Sequence, residues 1–138
     1  MIVGFLPRFV QPIQDGTKIH TFRLDAGNRF GNEGKPRLLH CATGVRTKHY
    51  NCFAIKEYSG SQRCEISYDF VGYVGEREGY HQWCVCVNYR LLQPDQAEAF
   101  ARNDGFESLN HLITCLCEMH GKQERYIGKL IHWTPFRY

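Results

Sequence analysis

Lys18, Thr21 and Arg23 follow one another at short intervals inside Gly16-Thr17-Lys18-Ile19-His20-Thr21-Phe22-Arg23. An amine, a hydroxyl and a permanent guanidinium are thus gathered in one stretch of chain. That trio suits an anionic or amide-bearing ligand, and it supports acyl chemistry on one condition. A threonine hydroxyl is a weak nucleophile until a base takes its proton. A lysine serves as that base only when its pKa falls well below about 10.4. Burial and a neighbouring cation both push it down, and Arg23 is placed to be that cation. An oxyanion formed on a carbonyl would need donors, from backbone N–H groups or from Arg23.

A second group of candidate contacts lies in Arg46-Thr47-Lys48-His49-Tyr50. Arg46 and Lys48 suit phosphate, while His49 and Tyr50 offer rings for base stacking. The same stretch reads equally well as the solvated tip of a hairpin. Trp83 and Tyr89 share a strand face with Val85 and Val87, which predicts core packing for both rings. Trp133 also reads as a core residue, with stacking on a base as its other use. The seven cysteines form no Cys-x-x-Cys pair. Cys84 and Cys86 would share a strand face, and Cys115 and Cys117 would diverge on a helix. Tetrahedral zinc needs four convergent ligands, so the thiols read as small buried hydrophobes and no metal or cofactor is expected.

The elements that must position these groups follow from periodicity and from turn residues. Arg8–Asp15 reads as a short helix burying Phe9, Val10 and Ile13, with Gly16 as its C-terminal cap. Pro12 belongs in a first turn, which moves the start as late as Val10. Strands are predicted over Ile19–Leu24, Arg37–Ala42, Tyr50–Ile55, Cys64–Val74 (broken near Gly72 and Gly75), Gln82–Leu92 and Tyr126–Thr134. The second and third of these are close enough to form a hairpin. Asp25–Pro36 reads as a loop, and Thr43–His49 and Glu57–Arg63 as turns. Asp95–Asn103 is helical in pattern and is broken at Asp104-Gly105. Ser108 caps a further helix that runs to about His120 and ends at Gly121. In a regular strand Lys18 and Thr21 would point to opposite faces, because their spacing is odd. They can share a site if Lys18 lies in the turn after Gly16, before pairing begins.

The strands seldom alternate with helices, which disfavours a doubly wound parallel sheet. An α+β, mainly β fold is expected: a small antiparallel β-barrel with short helices at its rim, which would leave no exposed edges. A chain of 138 residues and 16.1 kDa fits one domain over 1–138. The net charge of +3 permits contact with nucleic acid without requiring it. No run is apolar enough to span a bilayer. An odd number of cysteines without a leader-like segment predicts free thiols in a cytoplasmic setting.

Gly16-x-Lys18-x-x-Thr21-x-Arg23 resembles the signature of ASCH domains, relatives of the PUA fold. Asp104-Gly105-Phe106 resembles the acidic-Gly-aromatic step between their later helices. Thr43–Phe53 and Gly128–Thr134 are similar to a hairpin and a last strand of small phage or bacterial members. The resemblance implies a PUA-like barrel that binds RNA or a modified nucleoside. It also implies an alternative, since some small members are amidohydrolases that deacetylate N4-acetylcytidine with a lysine, a threonine and a glutamate. Carried over, these are Lys18, Thr21 and an acidic group that falls on Asp104, one methylene shorter than glutamate, with Glu107 as a nearby substitute. Arg23, Arg46, Lys48, His49 and Tyr50 would then contact the ligand. A protein-interaction domain on the same scaffold is a further reading, and the oligomeric state stays open.

Overall fold

The computed structural model of the protein describes residues 1–24, 37–72 and 79–138. The expected loop over Asp25–Pro36 and the expected strand break near Gly75 lie outside them. The chain is α+β and mainly β. Its elements are β1 (Ile2–Gly4), a 3-10 turn over Pro7–Phe9, α1 (Val10–Asp15), β2 (His20–Leu24), β3 (Leu38–Thr43), β4 (Asn51–Glu57), β5 (Gly60–Val71), β6 (Tyr80–Val87), β7 (Arg90–Leu91), α2 (Pro94–Asn103), α3 (Leu109–His120) and β8 (Arg125–His132). Among the described residues no helix is long and apolar enough to cross a membrane.

The strands form two sheets. One has the order β1-β3-β4, with β1 parallel to β3 and β3–β4 the expected antiparallel hairpin. The other is antiparallel throughout, in the order β2-β8-β5-β6-β7. Among the described residues no ladder joins the two sheets into a closed barrel. Strand β8 lies between β2 and β5, and its second half, Leu130 to His132, is buried on both faces. Leu130 points into a core with Phe22, Ile66, Val85, Phe100 and Leu112, under α2 and α3. Ile131 points into a second core with Val3, Phe5, Phe9, Ile13 and Leu39, beneath α1 and the smaller sheet. Each such side chain stabilises the fold by roughly 1.5–3 kcal/mol when fully buried.

Local chemistry sets the ends that matter for the site. Gly16 closes α1 in the left-handed region at φ 84°. Pro94 opens α2, and Gln93 and Gln96 cap it reciprocally. At its other end the Gly105 N–H donates to Arg102 O (2.9 Å) and the Phe106 N–H to Ala101 O (2.9 Å). With Gly105 at φ 85°, this is a Schellman ending whose C-cap is Asp104. Ser108 then caps α3 by accepting from the His111 N–H at 3.1 Å.

Three expectations change. Strand β1 was not anticipated: its three residues are too few to show a period, and it exists because β3 pairs with it. The turn expected over Glu57–Arg63 shrinks to Tyr58-Ser59, because β5 begins at Gly60 and pairs with β8 from there. The strand expected over Gln82–Leu92 is a hairpin, β6–β7, turning at Asn88 (φ 48°) and Tyr89 (φ 66°). Positive φ at both central positions is the geometry that closes a two-residue hairpin. Tyr89 is therefore not a core residue. It is 82% exposed, and its ring lies under the Arg63 guanidinium at 4.5 Å. Trp83 is half-buried and stacks on Tyr126, and Trp133 packs edge-on against Phe5 in the second core.

Candidate functional site

Lys18 lies where the strand geometry required, in the link between α1 and β2. Its N–H donates to Pro12 O (2.9 Å), and the next N–H, of Ile19, donates to Asn103 O (2.9 Å). Two backbone groups thus tie this link to the ends of α1 and α2. They direct the Lys18 side chain inward, where its Nζ donates to both the carboxylate and the backbone carbonyl of Asp104. A cation at the C-terminal end of a helix is favourably placed against the helix dipole. The second carboxylate oxygen of Asp104 accepts from the Phe22 N–H at 3.1 Å. One acidic side chain therefore holds both the lysine and the strand that carries Thr21.

Lys18 and Asp104 are 1% and 3% exposed, and Thr21 is 5% exposed. All three line one cleft of about 610 Å³, together with Arg23 and Arg46. A cleft of that size matches those that take small organic ligands. Its walls are β1 and the residues after it, the 44–46 turn, one face of α3, and the edge of the larger sheet at β2 and β8. The Phe9 ring lies 4.7 Å from Lys18 Nζ. The Phe5 ring lies 5.0 Å from the Arg23 guanidinium, which also donates to Gly4 O. The Arg8 guanidinium lies against both Phe9 (4.8 Å) and Phe106 (5.0 Å), two rings that themselves pack edge-on. Lys18 and Arg23 thus sit against aromatic rings within the cleft, and Arg8 rests on two of its rings from outside the lining.

Burial lowers the Lys18 pKa from the usual lysine range. Asp104 opposes that fall, and Arg23 and Arg8 add to it. Burial raises the Asp104 pKa, against the pull of Lys18, the Phe22 N–H and Arg23. Both groups are driven toward their neutral forms by loss of water, and each restrains the other. The Thr21 hydroxyl takes no hydrogen-bond partner among the described residues, Lys18 Nζ included. A lysine eased toward its free amine and an uncommitted hydroxyl line the same cavity.

Of the residues expected from sequence, Lys18, Thr21, Arg23, Arg46 and Asp104 meet at this cleft. Lys48, His49 and Tyr50 do not line it and stand exposed on the β3–β4 turn. Arg46 lies apart from them in a turn whose backbone is left-handed at Gly44 (φ 61°) and at Arg46 (φ 67°). Glu107 is exposed, beyond the Gly105 turn, so the buried acid is Asp104. Phe5, Phe9 and Phe106 were not anticipated as site residues. The Asp104-Gly105-Phe106 step and the buried face of α1 held the signal for two of them, whereas Phe5 depends on the unforeseen β1.

All seven cysteines are free thiols. Cys41, Cys64, Cys84 and Cys115 are buried, Cys86 and Cys117 are intermediate, and Cys52 is exposed, contrary to the expectation that the thiols are buried. Among the described residues no three His, Cys, Asp or Glu side chains gather as a metal site would require. Compared with family models, curated proteins and solved structures, the chain matches none.

Proposed function

We propose that this chain is an ASCH-type, PUA-like module whose cleft receives a modified nucleoside, free or within RNA. The observation that carries the reading is the convergence of Lys18, Thr21, Arg23 and Asp104 in one aromatic-walled cavity of about 610 Å³. A base has two apolar faces and a polar edge. The phenylalanines and the α3 face suit the former, and the hydroxyl, ammonium and guanidinium suit the latter. Arg46 and Lys129 on the lining add positive charge for a phosphate. Titration with N4-acetylcytidine, cytidine and short RNAs containing either one tests this. Binding of the modified nucleoside, weakened by Arg23→Ala, and RNA affinity that falls as salt rises are the expected results. Absence of binding to all of them at low salt would overturn the reading.

A second reading, the amidohydrolase, is favoured by the removal of Lys18 from water. As the free amine, Lys18 takes the Thr21 hydroxyl proton while that oxygen attacks the acetyl carbonyl. The C–N bond breaks, and the departing cytosine nitrogen receives the proton from Lys18. Water then cleaves the threonyl ester, releasing acetate and restoring the hydroxyl. Asp104 orients Lys18 throughout. Release of cytidine from N4-acetylcytidine, lost in both Lys18→Ala and Thr21→Ala, is expected. Turnover that survives both substitutions excludes this mechanism, and binding without turnover leaves the binding module.

A further inference from the structure

Behind the Lys18–Asp104 pair, on the face of β2 opposite Thr21, is a fully buried histidine that the cleft does not use. His20 Nε2 is 2.8 Å from the Tyr138 hydroxyl. Its Nδ1 is 4.0 Å from Asp104 Oδ1 and has no hydrogen-bond partner among the described residues. The Tyr138 oxygen also accepts from Asn103 Nδ2 at 2.9 Å. Asn103 directly precedes Asp104, so the same helix end supplies both ends of this chain of contacts.

These contacts assign the protons. The Asn103 amide nitrogen only donates, so the Tyr138 oxygen is its acceptor. Burial pushes the Tyr138 pKa up to about 12, so the hydroxyl keeps its hydrogen. Among the described residues the acceptor in reach of that hydrogen is His20 Nε2. Burial, then Lys18 and His132, hold the His20 pKa well below its usual value, so the ring is neutral. A neutral ring whose Nε2 accepts must carry its proton on Nδ1, facing the carboxylate.

We propose that Asn103 and Tyr138 are positioning residues for the cleft, locking His20 in its Nδ1–H tautomer so that an N–H dipole faces the rear of Asp104 and sets the protonation of the Lys18–Asp104 pair. The functional weight of this relay rests on the reading of the cleft given above, whereas the relay itself does not. If the tautomer is released, Nδ1 presents a lone pair to the carboxylate. Asp104 then holds its proton more tightly, and Lys18 loses part of its anionic partner. Among the described residues, the other charged or titratable groups around the pair are Arg8 in the 3-10 turn, Arg23 on β2, Cys41 on β3, His132 on β8 and Cys64 on β5. None of them is itself substituted in a Tyr138 or Asn103 variant, and of them Cys64 also interacts with Tyr138.

The test is nitrogen-15 NMR of the His20 ring and a carbon-13 titration of the Asp104 carboxyl. Both are recorded for the wild type, Tyr138→Phe and Asn103→Ala, with well-dispersed spectra as the sign of an intact fold. The wild type is expected to carry its proton on Nδ1. In both variants Nε2–H should appear, and the Asp104 titration should move up by on the order of one unit. An Nε2–H tautomer in the wild type, or variants in which neither quantity changes, would overturn the relay. Where N4-acetylcytidine is turned over, the pH–rate profile should shift in Tyr138→Phe in step with the Asp104 titration. If the NMR results are as expected and no acylated nucleoside is bound or turned over, the cleft reading falls while the relay stands.

Discussion

Asp104 has three duties that can be separated by substitution. It holds Lys18, it accepts from the Phe22 N–H, and it caps α2. Asp104→Ala leaves an ammonium buried without its carboxylate. Breaking a buried pair in this way destabilises by about 3–5 kcal/mol, and urea unfolding should register it. Thr21→Val removes a hydroxyl that has no partner among the described residues, so its effect on stability should stay within about 1 kcal/mol. Ligand binding or turnover should nevertheless be lost. If Thr21→Val destabilises as strongly as Asp104→Ala, the hydroxyl serves the fold and not a guest. The legibility of the site follows the same division. Lys18, Thr21 and Arg23 are readable because they are close in sequence and because a turn resolves their odd spacing. Asp104 and Arg46 are distant in sequence, and only tertiary packing brings them to the same cavity. Lys48 and His49 looked like partners of Arg46, yet in a turn left-handed at both Gly44 and Arg46 they stay outside the cleft.

At the scale of elements, the site depends on how α1 and α2 end. Both helices stop at a glycine in the left-handed region, but the two glycines differ in surroundings. A Cβ on Gly16 would meet nothing within 4 Å. A Cβ on Gly105 would lie 3.0 Å from the Phe9 ring and 3.1 Å from Lys18 Cδ. Gly16→Ala should therefore cost only the backbone strain, about 1–2 kcal/mol, and leave ligand affinity unchanged. Gly105→Ala should carry a similar strain and in addition displace Lys18 and Phe9, weakening binding. Paired unfolding and titration measurements check this, and equal affinities in the two variants would mean that Gly105 serves only the turn. Such endings are legible in sequence, since Gly16, Ser108 and Gly121 mark helix limits by local chemistry alone. The short β1 and the start of β5 are not, because they exist through pairing with β3 and β8, across long stretches of chain. Asn88-Tyr89 misled for a related reason: the hydrophobic alternation runs through the turn, and nothing but backbone handedness breaks it.

Across the whole molecule, β8 of the larger sheet separates the two cores, with Leu130 facing one and Ile131 the other. His132, at the end of β8, is completely buried, and neither ring nitrogen has a hydrogen-bond partner among the described residues. Its ring lies 5.5 Å from that of His20. Burial, assisted by the nearby Arg137 charge, lowers the His132 pKa to about 4. The unfolded chain takes up this proton near its usual value of about 6.5. Between these two values the unfolded state binds more protons than the folded one, so stability falls as pH drops from about 6.5 toward 4. It is fully present above that window. His20 is shifted in the same direction and steepens the loss. Urea-unfolding midpoints followed from neutral pH to about 4.5 should therefore decline in the wild type. His132→Leu, which replaces unpartnered ring nitrogens by an apolar side chain, should decline less steeply whatever its stability at neutral pH. Parallel curves for the two proteins would assign the acid sensitivity to another group. A gentler slope would identify the buried His20–His132 contact between β2 and β8 as the place where acid opens the fold.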